Sequence, residues 1–383
     1  MKTEIYKKNI RSLTSLRFFA AACIVIGHGG SKKLFNYSID LFDLRQAVSF
    51  FFVLSGFILS HAYPNLNWRT SFRGFLASRL ARLWPAYIVT ALLAIATNYP
   101  VNTIARLFRT AVNFLMLQSW IPINDWHYSV NAVSWSVSTE MFFYLVFPIA
   151  LWLKNTRPMM LVFAALTCFC IMLGIAVAMN ASPVEGGPSV TAWGLLYIFP
   201  LARLPEFLLG ILAYKLAIWL HRNSHLWSST KSNLLEAGAL TIMAAAVVES
   251  SNLGKGILRE IAPQLSVWVQ TAGGCFGFAL LIAVLYRERG VISRLLSTNV
   301  LVYLGKISFS LYLLHQIVIR WMFRNYQLEI ESSREIAYIA YWIISTGGAA
   351  LIYSLIEQPS RAKLRLALTK AQPSGLHHVA SRL

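Results

Sequence analysis

Two ionisable residues stand eleven positions apart in the first apolar stretch, Arg17 and His28 of Ser15-Leu16-Arg17-Phe18-Phe19-Ala20-Ala21-Ala22-Cys23-Ile24-Val25-Ile26-Gly27-His28. On an α-helix this spacing returns to nearly the same face and separates the two groups by roughly 16 Å along the axis. Ionisable groups in lipid are costly unless they face a protein interior or a wet cavity. The pair is therefore expected to mark two ends of one polar site. Alternatively, Arg17 snorkels to the headgroups and His28 caps the helix end.

Other stretches offer further polar groups. Arg79 and Arg82, within Phe75-Leu76-Ala77-Ser78-Arg79-Leu80-Ala81-Arg82-Leu83-Trp84-Pro85, share a helix face and present two guanidinium forks suited to phosphate. As basic flanks of a span they would carry the same charge for topological reasons alone. Glu140, in Ser136-Val137-Ser138-Thr139-Glu140, is an intramembrane carboxylate beside several hydroxyls, which suggests a substrate or proton path. Ser55 and Gly56, in Phe51-Phe52-Val53-Leu54-Ser55-Gly56-Phe57, allow close approach of another helix or of a ligand chain, and taken alone the two read first as ordinary helix packing. Arg203 and Glu206 form an opposite-charge pair that serves either structure or an acceptor site. Tyr312 and His315 are expected near the outer end of the same cavity, with a satisfied structural histidine as the alternative. Glu357 is expected to pair with Arg361, one helical turn on.

These groups must be positioned by elements built for lipid. The chain has 383 residues, 57% hydrophobic and only 13% charged, with mean hydropathy +0.56, which predicts an all-α, polytopic membrane protein. About ten spans are expected, near 13–30, 46–63, 83–98, 132–153, 159–180, 196–219, 234–250, 265–286, 299–320 and 336–357. The apolar segment from Thr103 to Ile121 carries Arg106 and Arg109 and is read as interfacial or re-entrant. With the N-terminus inside, basic residues favour the inner side by about two to one, so both termini are expected in the cytoplasm. The net charge of +19 then reflects topology and anionic headgroups rather than a nucleic-acid partner. The basic start with its apolar run is read as an uncleaved first helix, not a secretory signal. Residues 1–367 are expected to form one transmembrane domain and 368–383 a short mobile cytoplasmic tail. Cys23, Cys168, Cys170 and Cys275 read as small core residues, without the spacing of a metal site.

The chain resembles the acyltransferase-3 family of integral membrane acyltransferases. The resemblance rests on Arg17 with His28, the stretches around Ser55-Gly56, Arg79-Leu80-Ala81-Arg82-Leu83-Trp84-Pro85 and Ser138-Thr139-Glu140, and on Arg203-Leu204-Pro205-Glu206-Phe207. It continues through Leu304-Gly305-Lys306-Ile307-Ser308-Phe309-Ser310-Leu311-Tyr312-Leu313-Leu314-His315 to Glu357-Gln358-Pro359. It implies a bundle of about ten spans in the cell (inner) membrane. It also implies an acyl-coenzyme A donor, acetyl-coenzyme A first among them, and a carbohydrate hydroxyl as acceptor, on an exopolysaccharide, a lipopolysaccharide or a Nod factor, with a cytosolic macrolide as the alternative that would reverse the geometry. Some relatives carry a further hydrolase-like domain after the bundle, so a stand-alone transferase is expected here.

The expected chemistry follows from that topology. Arg17, Arg79 and Arg82 would bind the donor's phosphates near the cytoplasm, and Ser55-Gly56 would line the thioester passage. His28 would act as general base on the acceptor hydroxyl, with Glu140 orienting the imidazolium. No resident cofactor or metal is expected. The competing reading is a proton-coupled transporter of a lipid-linked or amphipathic solute, which would use the same buried charges, although no repeated half is visible.

Overall fold

The computed structural model describes residues 10–29, 42–66, 71–222 and 227–363. Expectations that fall on 364–383, the tail among them, lie outside the described residues. The helices run α1 (Arg11–Gly29), α2 (Gln46–Ala62), α3 (Phe72–Thr97), α4 (Ile104–Phe114), α5 (Asn124–His127), α6 (Trp135–Thr156), α7 (Pro158–Ala178) and α8 (Pro200–Arg222). They continue as α9 (Ser229–Lys255), α10 (Ile257–Ile261), α11 (Pro263–Ala272), α12 (Cys275–Leu285), α13 (Val291–Leu296), α14 (Asn299–Asn325), α15 (Gln327–Ser332) and α16 (Arg334–Ile352). No strand is present among the described residues beyond two isolated bridges.

The result is an all-α bundle in which nine helical segments are long and apolar enough to cross a membrane, with α2 a shorter apolar helix beside them. These ten coincide with the expected spans. The main boundary difference is α3, which begins at Phe72 rather than near 83 and so takes Arg79 and Arg82 inside the helix. The sequence reading started that span after the arginines because charge ends an apolar run. α4 has only 11 residues, too few to cross, and turns Ile104, Leu107 and Phe108 outward while burying Thr110 and Asn113.

Lipid supplies no hydrogen bonds, so the helix interfaces rest on packing and on small residues that let backbones meet. α2 and α8 cross at two reciprocal glycines. A Cβ on Gly56 would stand 2.0 Å from the Phe207 carbonyl oxygen, and one on Gly210 would stand 1.9 Å from that of Val53. α1 and α14 meet in the same way at Gly305, where a Cβ would lie 2.0 Å from the Thr14 carbonyl oxygen. α7 lies at the periphery, exposing Met159, Phe163, Leu166 and Ile171, whereas α14 and the segment 193–222 are mostly buried. The cysteine expectation needs correction here. Cys275 is buried, but Cys170 is exposed on α7, because that helix is apolar on all sides and gives no sequence signal for its inner face.

The glycine crossing yields a direct prediction. Gly56→Val should force α2 from α8, cost about 1–3 kcal/mol as overpacking and lower the unfolding temperature of the purified protein. An unchanged temperature in a fluorescence-detected thermal melt would refute the crossing as drawn.

Candidate active site

Two cavities lie back to back in the bundle. The first, about 530 Å³, is lined by Arg17 of α1, Ser55 of α2, Arg79 and Arg82 of α3, Glu140 and Tyr144 of α6, Lys306 and Tyr312 of α14, and Tyr353 and Arg361 from the end of the last span. The second, about 510 Å³, is lined by His28, Asp43, Arg45, Tyr128, Trp135, Glu185, Tyr197, Lys255, Tyr312, Gln316 and Arg320. Val48 and Tyr312 belong to the walls of both.

The first cavity is strongly basic, with five cations against the single carboxylate of Glu140. Among the described residues, Arg17, Arg82 and Lys306 form no salt bridge. Arg79 is nearly buried and donates from Nη2 to the Tyr63 hydroxyl at 2.9 Å, which holds its guanidinium at the cavity wall. Arg361 donates to Glu357 at 2.6 Å, and Glu357 also accepts from the Ser310 hydroxyl. The pairing foreseen for Glu357 is therefore present, and it sets Arg361 on the cavity rim. A concave surface with three uncompensated cations suits a multiply charged anion such as a polyphosphate.

The structure places Glu140 in this basic cavity rather than beside His28. Its Oε1 accepts from the Tyr144 hydroxyl at 2.6 Å and from the Ser55 hydroxyl at 3.3 Å. The expected pairing of Glu140 with His28 is thus not found. The helix that carries Glu140 enters the bundle beside α2 and α3, so the carboxylate meets Ser55 and the arginines instead. The placement of Gly56 in a ligand passage also needs correction. Gly56 faces the α8 backbone, and Ser55 alone of that pair reaches the cavity.

In the second cavity His28 meets a different partner. Its Nδ1 lies 2.8 Å from Nε2 of His315, with the two ring planes 13° apart and the rings end to end at a centroid distance of 5.1 Å. His315 is fully buried, and its own Nδ1 lies 3.2 Å from the Leu311 carbonyl oxygen. Tyr312 forms the partition. Its hydroxyl donates to the Val133 carbonyl at 2.8 Å and lies 2.8 Å from the Ser136 hydroxyl. The neighbouring hydroxyls serve the scaffold, since Ser138 donates to the Met116 carbonyl at 2.6 Å. Ser134 takes hydrogen bonds from Gln118 and Asn113.

Arg203 and Glu206 line neither cavity. They pair at 3.0 Å with both side chains fully buried, Arg203 also donates to Ser49 at 2.7 Å, and its guanidinium lies over the rings of Tyr197 and Phe52. The pair is a structural anchor of α8 on α2. At the mouth of the second cavity, Arg45 donates bidentately to Asp43, pairs with Glu185 at 3.1 Å and lies 4.2 Å from the Trp193 ring centroid. Burial pushes the Asp43 carboxyl up, but the hydrogen bonds and charge of Arg45 outweigh it and hold Asp43 below the usual carboxylate range. Sequence reasoning missed this mouth because its residues come from connections without periodicity. It also missed Lys306, whose charge lay inside a quoted motif, one residue from the Gly305 crossing. Among the described residues no group of His, Cys, Asp and Glu could hold a metal ion.

A family model described as Acyltransferase domain matches residues 10–357, nearly the whole chain. The chain belongs to the acyltransferase-3 family. It is similar to Acyltransferase MdmB of Streptomyces mycarofaciens, 29% identical over 90% of this chain and 86% of that one. It is also similar to O-acetyltransferase OatA of Staphylococcus aureus, 25% identical over 92% of this chain and 57% of that protein. It thus spans little more than half the length of OatA. No solved structure matches. Family and helices together make this a multi-pass membrane protein of an acyltransferase family.

Because the depressed Asp43 carboxyl stabilises the fold only while ionised, its contribution is present above the ordinary carboxylate range and is lost as pH falls through its folded-state value. Asp43→Asn should lower the melting temperature at neutral pH, and the gap from wild type should close in acid. A gap that persists unchanged at the lowest pH would contradict this account.

Proposed function

We propose that the protein transfers an acyl group, acetyl foremost, from acyl-coenzyme A in the cytoplasm to a carbohydrate hydroxyl at the opposite face of the cell membrane. The observation that carries this reading is the pair of abutting cavities, one with uncompensated cations and one with an imidazole pair, divided by Val48 and Tyr312. The basic side of the bundle, and with it both termini, is assigned to the cytoplasm from the bias of basic residues. An oxygen acceptor and an acetyl donor group are supported by the similarity to a protein named O-acetyltransferase.

In this mechanism Arg17, Arg82 and Lys306 hold the donor's phosphates, with Arg79 and Arg361 at the wall. Ser55 and Glu140 lie along the path of the pantetheine arm, which delivers the thioester to the partition at Tyr312. His28 takes the proton of the acceptor hydroxyl as its oxygen attacks the thioester carbonyl. The tetrahedral intermediate collapses with cleavage of the C–S bond, and the departing thiolate receives the proton from His28. The product is an ester on the sugar and free coenzyme A. The tyrosines and Trp135 of the second cavity offer the flat apolar faces that sugar rings pack against, and Asp43, Arg45, Gln316 and Arg320 offer polar groups for hydroxyls.

The test uses purified protein in nanodiscs with radiolabelled acetyl-coenzyme A and a panel of surface glycans. Label should move to a glycan in the wild type. His28→Ala should abolish transfer while retaining donor binding. Arg82→Ala should weaken donor binding by about tenfold, as expected for loss of a charged hydrogen bond. Absence of donor binding and consumption by demonstrably folded wild-type protein would defeat the reading and direct attention to solute flux.

A further inference from the structure

The His28 imidazole has two nitrogens, and only one of them can take the acceptor's proton. The contacts of the neighbouring histidine decide this. A backbone carbonyl only accepts hydrogen bonds, so His315 Nδ1, 3.2 Å from the Leu311 oxygen, carries a hydrogen. Neutral His315 then presents a lone pair at Nε2. His28 Nδ1, 2.8 Å away, must therefore be the donor, and the lone pair of neutral His28 resides on Nε2.

Resting on the acyl-transfer reading, we propose that His315 is a positioning residue that fixes the tautomer and ring orientation of His28, so that Nε2 is the nitrogen that accepts the proton of the acceptor hydroxyl. The order is Leu311 carbonyl, His315, His28, acceptor, with one hydrogen on each Nδ1. When His28 Nε2 takes the hydroxyl proton, the imidazolium still donates through Nδ1 to a lone pair, and that bond strengthens because its donor is now charged. Both rings are neutral at rest. In a low-dielectric interior such a pair avoids the cost of holding an ionised carboxylate behind the base. Burial of His315 and the end-to-end hydrogen bond between the two rings restrict rotation of both.

His315→Met retains apolar volume and leaves only the weak thioether acceptor, whereas His315→Gln retains an amide oxygen able to accept from His28 Nδ1. In nanodiscs, the Met variant should lose about a hundredfold in kcat with the donor KM unchanged, as for loss of a group that orients a functional histidine. The Gln variant should recover most of that loss. Magic-angle NMR of protein labelled with nitrogen-15 histidine, the His28 signals assigned by their absence in His28→Ala, should show His28 protonated at Nδ1 in the wild type and a mixture of tautomers in the Met variant. Full activity in His315→Met, or equal impairment of the Met and Gln variants, would overturn the proposal while leaving acyl transfer intact. If the wild type transfers no acyl group, the function reading fails, and the wild-type spectrum still tests the tautomer. His28 protonated at Nε2 would overturn it, and protonation at Nδ1 would support it.

Discussion

The contact between the backbones of α2 and α8, permitted by Gly56 and Gly210, sets the position of almost everything else in this bundle. α2 is a short helix that contributes Val48 to the partition, Ser55 to the basic cavity and Ser49 to the buried ion pair of α8. The glycine crossing that seats α2 thus also seats a side chain common to both cavity walls. The Arg203–Glu206 pair reinforces the crossing from the side, because sliding α8 along α2 would strip both members of their buried hydrogen bonds to Ser49 in a dry interior.

Lipid sorts the remaining polar groups into two kinds. Those whose needs are met by the protein, such as Glu357 with Ser310 and Arg361, or Asp43 with Arg45, hold elements together. Those without a counter-charge among the described residues, Arg17, Arg82 and Lys306, converge on one concave surface. Uncompensated charge is tolerable there because a wet cavity solvates it, and the same solvation is exchanged for a ligand when one binds.

Much of this was legible in the chain. Span number and helical class follow from long apolar runs, and the arginines declared themselves because charge within such runs is rare. Arg17 and His28, expected at two ends of one polar site, instead face two cavities. Side-chain pairing across helices was not legible. The partner of His28 lies on α14, hundreds of residues away, and the phase of one helix against another is decided by small-residue crossings such as Gly305 against Thr14. A place near the outer end of its span made Glu140 seem available to His28, yet its carboxylate meets Tyr144 on its own helix and Ser55 of α2. Gly56 was ambiguous for the same reason, since a glycine that admits a ligand and one that admits a helix have identical sequences.

The partition at Val48 and Tyr312 has a bearing on the cell's energy economy. A protein hollowed from both faces would short-circuit the ion gradients of its membrane if the hollows joined through water. Here the dividing wall is an aliphatic side chain and an aromatic ring whose hydroxyl is tied to the Val133 carbonyl and Ser136. Apolar constrictions of this kind dewet and resist ion passage. The residues common to both cavity walls are thus of a kind that discourages a continuous water path between them.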